Sequence, residues 1–182
     1  MAALPDPPLL MSVEEYLATS FPDGDREYLD GVVVERNLGT NPHSAFQQFL
    51  AEYLGAQARR LGLAVRPECR TKINATRYRV PDILVIARPF HAVRGVIVDA
   101  PLLIVEVLSP DDRVGETVKR YRDYAVFGVP HIVQLDPVER TAFVFEAGAL
   151  VPKELDGFEV PGHGFLAFHV RELFARLDEE LD

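Results

Sequence analysis

Val80-Pro81-Asp82-Ile83-Leu84-Val85-Ile86 and Leu102-Leu103-Ile104-Val105-Glu106-Val107-Leu108 decide the reading of this chain. Each run is apolar and rich in β-branched residues except for a single acid, Asp82 in the first and Glu106 in the second. Runs of this length and composition predict strands of a sheet covered on both faces. An ionised carboxylate buried alone costs several kcal/mol, or takes up a proton instead. Two of them on neighbouring apolar strands point to a place where a cation balances the charge.

Outward from these runs, helical and extended signals alternate. Ser12-Val13-Glu14-Glu15 has the spacing of a capping box, which predicts a short helix from Val13 to about Thr19. Residues 27–35 read as two short strands around an Asp30-Gly31 turn. Asn41-Pro42 opens a long helix, with Asn41 as cap, Phe46, Phe49, Leu50, Tyr53, Leu54 and Leu61 at helical spacing, and Gly62 as its stop. Strands are expected at 64–66, 69–73, 80–87 and 102–108, with a loop holding Pro89, Gly95 and Pro101 between the last two. A second helix runs from Val114 to Phe127 and ends at Gly128-Val129-Pro130. Strands at 131–135 and 141–146, a hairpin through Leu150 and Phe158, and a closing helix from about Val170 to Leu177 follow. The strand–helix–strand stretch from Leu102 to Leu135 is a crossover unit, which favours a parallel pair inside a mixed sheet. The expected class is α/β (α+β): a single layer of mixed central β-sheet flanked by helices. Residues 1–11 read as a Pro-rich lead-in, 12–177 as one domain, and 178–182 as a solvated acidic tail.

Composition narrows the functional classes. With 48% hydrophobic and 26% charged residues among 182, the chain is an ordinary soluble globular protein. The single Cys69 excludes an internal disulfide framework and fits a cytoplasmic location. No apolar run reaches the length of a membrane span, and the N-terminus lacks the pattern of a signal peptide. No membrane partner is expected. The five histidines (His43, His91, His131, His163, His169) lack zinc-site spacing; His43, two residues after Asn41, is either structural or within reach of the site, and the structural reading is favoured. Ser109 has no nucleophile elbow around it, and no Walker or Rossmann glycine pattern occurs. The net charge of −9 argues weakly against a polyanionic partner. Yet from Arg59 to Arg79 there are seven basic residues against the single acid Glu68, a local charge of +6. Phosphate binding follows the local field, although a solvated basic face accounts for the same residues.

Strand alternation places Val80, Asp82, Leu84 and Ile86 on one face, and Leu102, Ile104, Glu106 and Leu108 on one face. If the two strands are neighbours, Asp82 and Glu106 converge near one end. Two carboxylates, a backbone carbonyl and waters form an acceptable Mg2+ or Mn2+ site, and such sites serve hydrolysis at phosphorus. Taken alone, Asp82 after a proline is ordinary turn chemistry, and Glu106 could be neutralised by a buried Arg79.

The pieces Glu27-Tyr28-Leu29-Asp30-Gly31, Arg79-Val80-Pro81-Asp82, Val105-Glu106-Val107-Leu108-Ser109-Pro110 and Gly128-Val129-Pro130-His131 through Asp136-Pro137 occur in that order. Together they resemble the Uma-two family of bacterial restriction-endonuclease-type proteins, within the PD-(D/E)xK nuclease superfamily, over residues 12 to 175. The resemblance implies a restriction-endonuclease-like fold and a Mg2+- or Mn2+-dependent endonuclease cutting nucleic acid, DNA first. It implies Asp82 and Glu106 as metal ligands with the Val107 carbonyl as a third, and Glu27 as an acid near a metal-bound water or second ion. The superfamily lysine falls two residues after the Glu, where this chain has Leu108. In the family that lysine has moved to the following helix, usually four residues before a tyrosine. Here that position is Arg120, with Lys119 beside it. Register favours Arg120, and proton chemistry favours Lys119. On a helix whose apolar face is Val114, Val118, Tyr121 and Ala125, only one of the two leans toward the strand ends. The Arg59–Arg79 stretch would meet the nucleic-acid backbone, and a homodimer would let two sites address two strands. A nuclease fold kept as a nucleic-acid-binding or assembly module is the competing expectation, and a metal hydrolase of small phosphorylated substrates a third.

Overall fold

The computed structural model of the chain describes residues 9–22, 24–36 and 39–181. Most of the lead-in, residues 1–8, and the terminal Asp182 lie outside the described residues. In chain order the elements are β1 (Leu9–Leu10), α1 (Val13–Ala18), β2 (Glu27–Leu29), β3 (Val32–Val34), α2 (Asn41–Ala58), β4 (Leu63–Pro67), β5 (Thr71–Asn74), β6 (Arg77–Arg79), β7 (Ile83–Ala87), β8 (Ala92–Val93), β9 (Val96–Ile97), β10 (Leu103–Val107), α3 (Val114–Phe127), β11 (His131–Asp136), β12 (Thr141–Glu146), β13 (Ala149–Pro152), β14 (Gly157–Val160), β15 (Gly164–Ala167) and α4 (Val170–Leu181).

The local signals act where they stand. Ser12 Oγ accepts the Glu15 N–H at 3.2 Å while the Glu15 carboxylate accepts the Ser12 N–H at 2.8 Å, so α1 starts on a closed capping box. Asp30 and Gly31 both take positive φ, 51° and 99°, the backbone of a two-residue hairpin turn matched to strand twist. α3 stops where Gly128 enters the left-handed region at φ 101° and its N–H and that of Val129 return to the Ala125 and Tyr124 carbonyls. At α2 the cap position belongs to Thr40 instead of Asn41, and the helix ends at Ala58, short of Leu61.

Sheet architecture departs from the expected single layer. Six strands, β13-β12-β11-β10-β7-β4, form the central mixed sheet, with β10 and β11 the parallel pair around α3. Seven short strands, β1-β3-β2-β6-β5-β9-β8, form a second sheet, and β14 with β15 a third. The expected strand over 80–87 is therefore shortened to 83–87. Its upstream neighbour β6 lies in the second sheet, and β7 begins at Ile83 in the central one. Pro81 is the reason: it has no N–H to give a ladder and resists the middle of a sheet. The chain turns the corner between sheets at Val80-Pro81-Asp82. Phe158 likewise pairs in β14–β15 instead of continuing the hairpin of Leu150. The acidic stretch from Asp178 to Leu181 is the last turn of α4, and Asp178 accepts from Arg140 at 2.8 Å.

The central sheet is covered on both faces, as its apolar strands require. Ile83, Val85, Leu103 and Val105 pack with Phe46, Leu50 and Leu54 of α2 and Leu173, Phe174 and Leu177 of α4. Leu84, Ile86 and Ile104 pack on the other face with Tyr121 and Tyr124 of α3. Odd positions of β7 and β10 thus face α2 and α4, and even positions face α3.

Candidate active site

β7 and β10 run antiparallel with Ile104 opposite Leu84 and Val105 opposite Ile83. Continuing that register by one step brings Glu106 level with Asp82; Glu106 meets Tyr124 and Arg120 of α3, while the Asp82 side chain, just ahead of β7, meets Arg36 and, from α2, His43. The two acids meet at the corner where the chain passes between sheets, each only 3% exposed.

Donors surround Asp82. Arg36, from the β3–α2 connection, pairs with Oδ1. The Val107 N–H donates to Oδ2 at 2.8 Å, and His43 Nε2 lies 3.3 Å from the same oxygen. The Asp82 carbonyl accepts from Gln47 Nε2 at 3.1 Å and from the Glu68 N–H at 3.2 Å. Burial pushes the Asp82 carboxyl up, but His43, Arg36 and the Val107 amide together outweigh it and hold it below its usual range. His43 responds in the opposite sense: burial pulls its imidazole down, but the hydrogen bond and charge of Asp82 prevail and raise it.

Glu106 has fewer helpers. Its Oε1 accepts the Tyr124 hydroxyl at 2.6 Å, and Arg120 Nη1 is 3.3 Å from Oε2. Burial and the neighbouring Asp82 charge push its carboxyl up to about 7, against the pull of Arg120 and Tyr124. The two carboxylates are thus held apart in acidity, a pattern common at functional sites.

Glu27, which the family resemblance implies as an acid near a metal-bound water or second ion, is 2% exposed. Arg79 Nη1 donates to its Oε2 at 2.5 Å, the Val80 N–H to its Oε1 at 3.2 Å, and Arg120 Nε lies 3.9 Å from Oε1. Arg79 continues to Asp123, with Nη2 2.6 Å from Oδ2. It is therefore the counterion of Glu27 and Asp123, not of Glu106. The guanidinium on Glu106 is Arg120, and Glu27 holds that arginine from behind.

Between the two candidate cations on α3 the geometry is decided by burial. The stripe facing the sheet is Thr117, Tyr121 and Tyr124, while Val114 and Ala125, expected to be buried, are exposed. Arg120 is three residues after Thr117 and four before Tyr124, so it leans toward Glu106. Lys119 falls on the outer side, 64% exposed, 2.7 Å from Glu116, and is not brought to the carboxylates.

The basic stretch is divided. Arg70 pairs with Asp25 at 2.5 Å, Arg77 with Asp30 and Asp123, and Arg79 as above, so these charges are spent internally. Arg59 and Arg66, joined by Arg88, line a groove of about 770 Å³ between α2 and the edge strand β4, beside Gln47, Gln48, Glu52 and Glu68. The groove reaches the corner through Gln47 and through Glu68, whose Oε1 is 3.0 Å from Arg36.

Whether a divalent cation suits the corner depends on the donors. Among the described residues no three His, Cys, Asp or Glu side chains gather as a metal cluster. Mg2+, however, is ordinarily held by only one or two carboxylates, with waters and phosphate oxygens completing the shell. Asp82 and Glu106 supply that hard-oxygen pair, and each keeps acceptor capacity beyond its present bonds. A recess of about 20 Å³ between Arg36, His43, Asp82, Val107, Ser109, Asp112 and Arg120 has room for one water-sized species. The residues fit, with one condition: a cation at Asp82 Oδ1 would sit beside the Arg36 guanidinium and be repelled by it.

The sequence singles out neither Gln47 nor Arg36; it leaves His43 within reach of the site but favours a structural role, and Tyr124 serves there only to locate Arg120. The signal for two of them existed, since His43 and Gln47 are four apart and so share a face of α2. Arg36 carries no such mark.

A family model, Uma2, described as "Putative restriction endonuclease", matches residues 13–168. Among solved structures, "a putative nuclease belonging to DUF820" from Anabaena variabilis superposes with a TM-score of 0.75, at 21% identity over 92% of this chain and 99% of that one. At that identity the likeness establishes the shared fold, and the fold is restriction-endonuclease-like. A DrdV–DNA complex aligns with a TM-score of 0.36 and 20% identity over 60% of this chain and 10% of that one, too little to carry an argument. No curated protein matches the chain.

Proposed function

The chain belongs to the Uma2 family, and on that premise we propose that it is a nuclease hydrolysing phosphodiester bonds of DNA with Mg2+ or Mn2+ held by Asp82, Glu106 and the Val107 carbonyl. The observation that carries this reading is the burial of Asp82 and Glu106 side by side at one strand end, under Arg120. In an extended strand the N–H and C=O of one residue point to the same neighbour, and the Val107 N–H already points to Asp82. A bound ion supplies an activated water and offsets charge on the phosphoryl oxygens. The rest belongs to the chain. Arg120, fixed by Glu27 and Glu106, is the cation that meets developing negative charge. Being permanently protonated, it stabilises charge and does not move a proton. The groove lined by Arg59, Arg66 and Arg88 offers the backbone contacts first assigned to the whole Arg59–Arg79 stretch. A homodimer would bring two such corners to two strands.

The deciding experiment incubates the purified protein with supercoiled plasmid, single-stranded DNA and RNA, in Mg2+, Mn2+ or chelator. Asp82→Ala, Glu106→Ala, Arg120→Ala and Lys119→Ala are run beside it. Metal-dependent cleavage should vanish in the first two, fall by roughly 10²–10³ in the third, and persist in the fourth. Cleavage surviving both Asp82→Ala and Glu106→Ala refutes the site.

One observation favours a second reading. Leu108 stands where the assisting lysine belongs, and Arg36 and Arg120 already neutralise the two carboxylates. Ion binding that depends on Asp82, without cleavage of any substrate, would identify a nucleic-acid-binding or assembly module on a nuclease fold.

A further inference from the structure

The donors around Asp82 divide its two oxygens unequally. Among the described residues Arg36 alone pairs with Oδ1, while Oδ2 receives the Val107 N–H at 2.8 Å and faces His43 Nε2 at 3.3 Å. A carboxylate oxygen has about two lone-pair directions, so Oδ2 is filled and Oδ1 is not. The Val107 bond is backbone and moves only with β10. The His43 bond comes from a side chain in the first turn of α2, so it is the half that sequence can change.

That imidazole is firmly placed. It is 7% exposed, its Nδ1 has no hydrogen-bond partner among the described residues, and Gly39 passes so near that a Cβ there would stand 2.8 Å from Nδ1. An Nε2 facing a carboxylate carries the hydrogen, in either the neutral or the charged ring. One turn along α2, Gln47 holds the Asp82 carbonyl at 3.1 Å. α2 therefore grips Asp82 by both side chain and main chain.

We infer that His43 is a positioning residue that sets ion selectivity: by filling Oδ2 it leaves Asp82 only Oδ1 to offer a divalent cation. The inference rests on the metal-dependent reading above. Mg2+ demands near-octahedral geometry at about 2.0–2.1 Å, which a one-oxygen carboxylate satisfies. Ca2+ takes six to eight oxygens at roughly 2.3–2.6 Å and commonly draws both oxygens of a carboxylate. With His43 in place the two-oxygen mode is closed, and the corner favours the smaller ion.

The test uses the full chain and its His43→Ala, His43→Gln, Gly39→Ala and Asp82→Ala variants. Mg2+ and Ca2+ binding are measured by calorimetry, Mn2+ binding by the loss of its free electron-spin-resonance signal, and folding in chelator by thermal unfolding. Removing a group that orients a ligand typically weakens metal binding by about 10–100-fold. His43→Ala should weaken Mg2+ by that factor while Ca2+ changes by less than about threefold, shifting the preference toward Ca2+ roughly tenfold or more. His43→Gln, whose amide nitrogen reaches the place of Nε2, should restore most of the preference. Gly39→Ala, pressing on the imidazole, should shift it in the direction of His43→Ala, and it carries the comparison if His43→Ala does not fold. Equal weakening of both ions, or no change in either, overturns the inference and leaves His43 a packing residue. Equal Mn2+ binding by wild type and Asp82→Ala is a separate failure, that of the metal site itself.

Discussion

Glu106→Gln isolates the energetic cost of the buried acid. The folded carboxyl titrates near 7 against an ordinary 4.5. Because the folded value is the higher one, its contribution to stability is complete below 4.5 and is lost as pH rises through 7. At about 1.4 kcal/mol per unit, the interval corresponds to a loss of about 3 kcal/mol. Gln at the same place keeps an acceptor for the Tyr124 hydroxyl and does not titrate. Asp82, held below its usual range, stays ionised across this window in both proteins; the His43 imidazole, which the Glu106 charge helps to raise, adds a smaller contribution of its own to the difference. The assay is urea unfolding in chelator at pH 5 and pH 8.5. Relative to wild type, Glu106→Gln should gain about 3 kcal/mol between the two pH values, equivalent to roughly 6–12 °C in Tm for a domain of this size. A wild-type–variant difference that is flat within about 0.5 kcal/mol refutes the raised acidity constant, and with it the claim that desolvation dominates at Glu106.

Tyr124→Phe removes the 2.6 Å bond to Glu106 and leaves a buried acceptor short of a donor. Unfolding at pH 8 should show a loss of about 1–3 kcal/mol, larger than at pH 5, where a protonated Glu106 depends less on that bond. Arg36→Ala strips the buried Asp82 of its cation, which in chelator should cost about 3–5 kcal/mol. The same variant should bind Mn2+ more tightly than wild type and recover stability with added Mn2+, since the guanidinium no longer repels the ion. Unchanged Mn2+ affinity would show that Arg36 does not oppose the ion.

What could be read from residues alone follows the range of the forces involved. α3 and the capping box of α1 are local, set by side chains within a turn of each other, and both lie where spacing puts them. The neighbourhood of Asp82 and Glu106 was also legible, because alternation and an apolar run constrain a strand's face strongly. Pro81 was the overlooked signal: it marks a corner, and the corner puts Asp82 at a sheet junction instead of inside a strand. The partners of the two acids were not legible, because ion pairs bridge large sequence separations. Arg36 reaches Asp82 across 46 residues and Arg79 reaches Glu27 across 52. Lys119 and Arg120 are neighbours with nearly equal claims in sequence, and the rotation of α3, set by Thr117, Tyr121 and Tyr124, separates them.

The cation that two buried carboxylates require is supplied here first by the chain itself, and the way it is supplied bears on function. Each guanidinium at the corner is shared between two acids: Arg36 between Asp82 and Glu68, Arg120 between Glu106 and Glu27. Losing the inner acid to another cation does not expel either arginine, because the outer acid retains it. The corner can therefore gain two positive charges while keeping both arginines within reach. With all four acids ionised against the two arginines, ion entry takes the corner from net negative to neutral, which lifts the repulsion that an anionic diester would otherwise meet in a protein of net charge −9. An arginine with one outer carboxylate is thus better placed than a free lysine to wait beside a buried acid, and this is a physical reason for Arg120 to stand where the family resemblance implies a lysine.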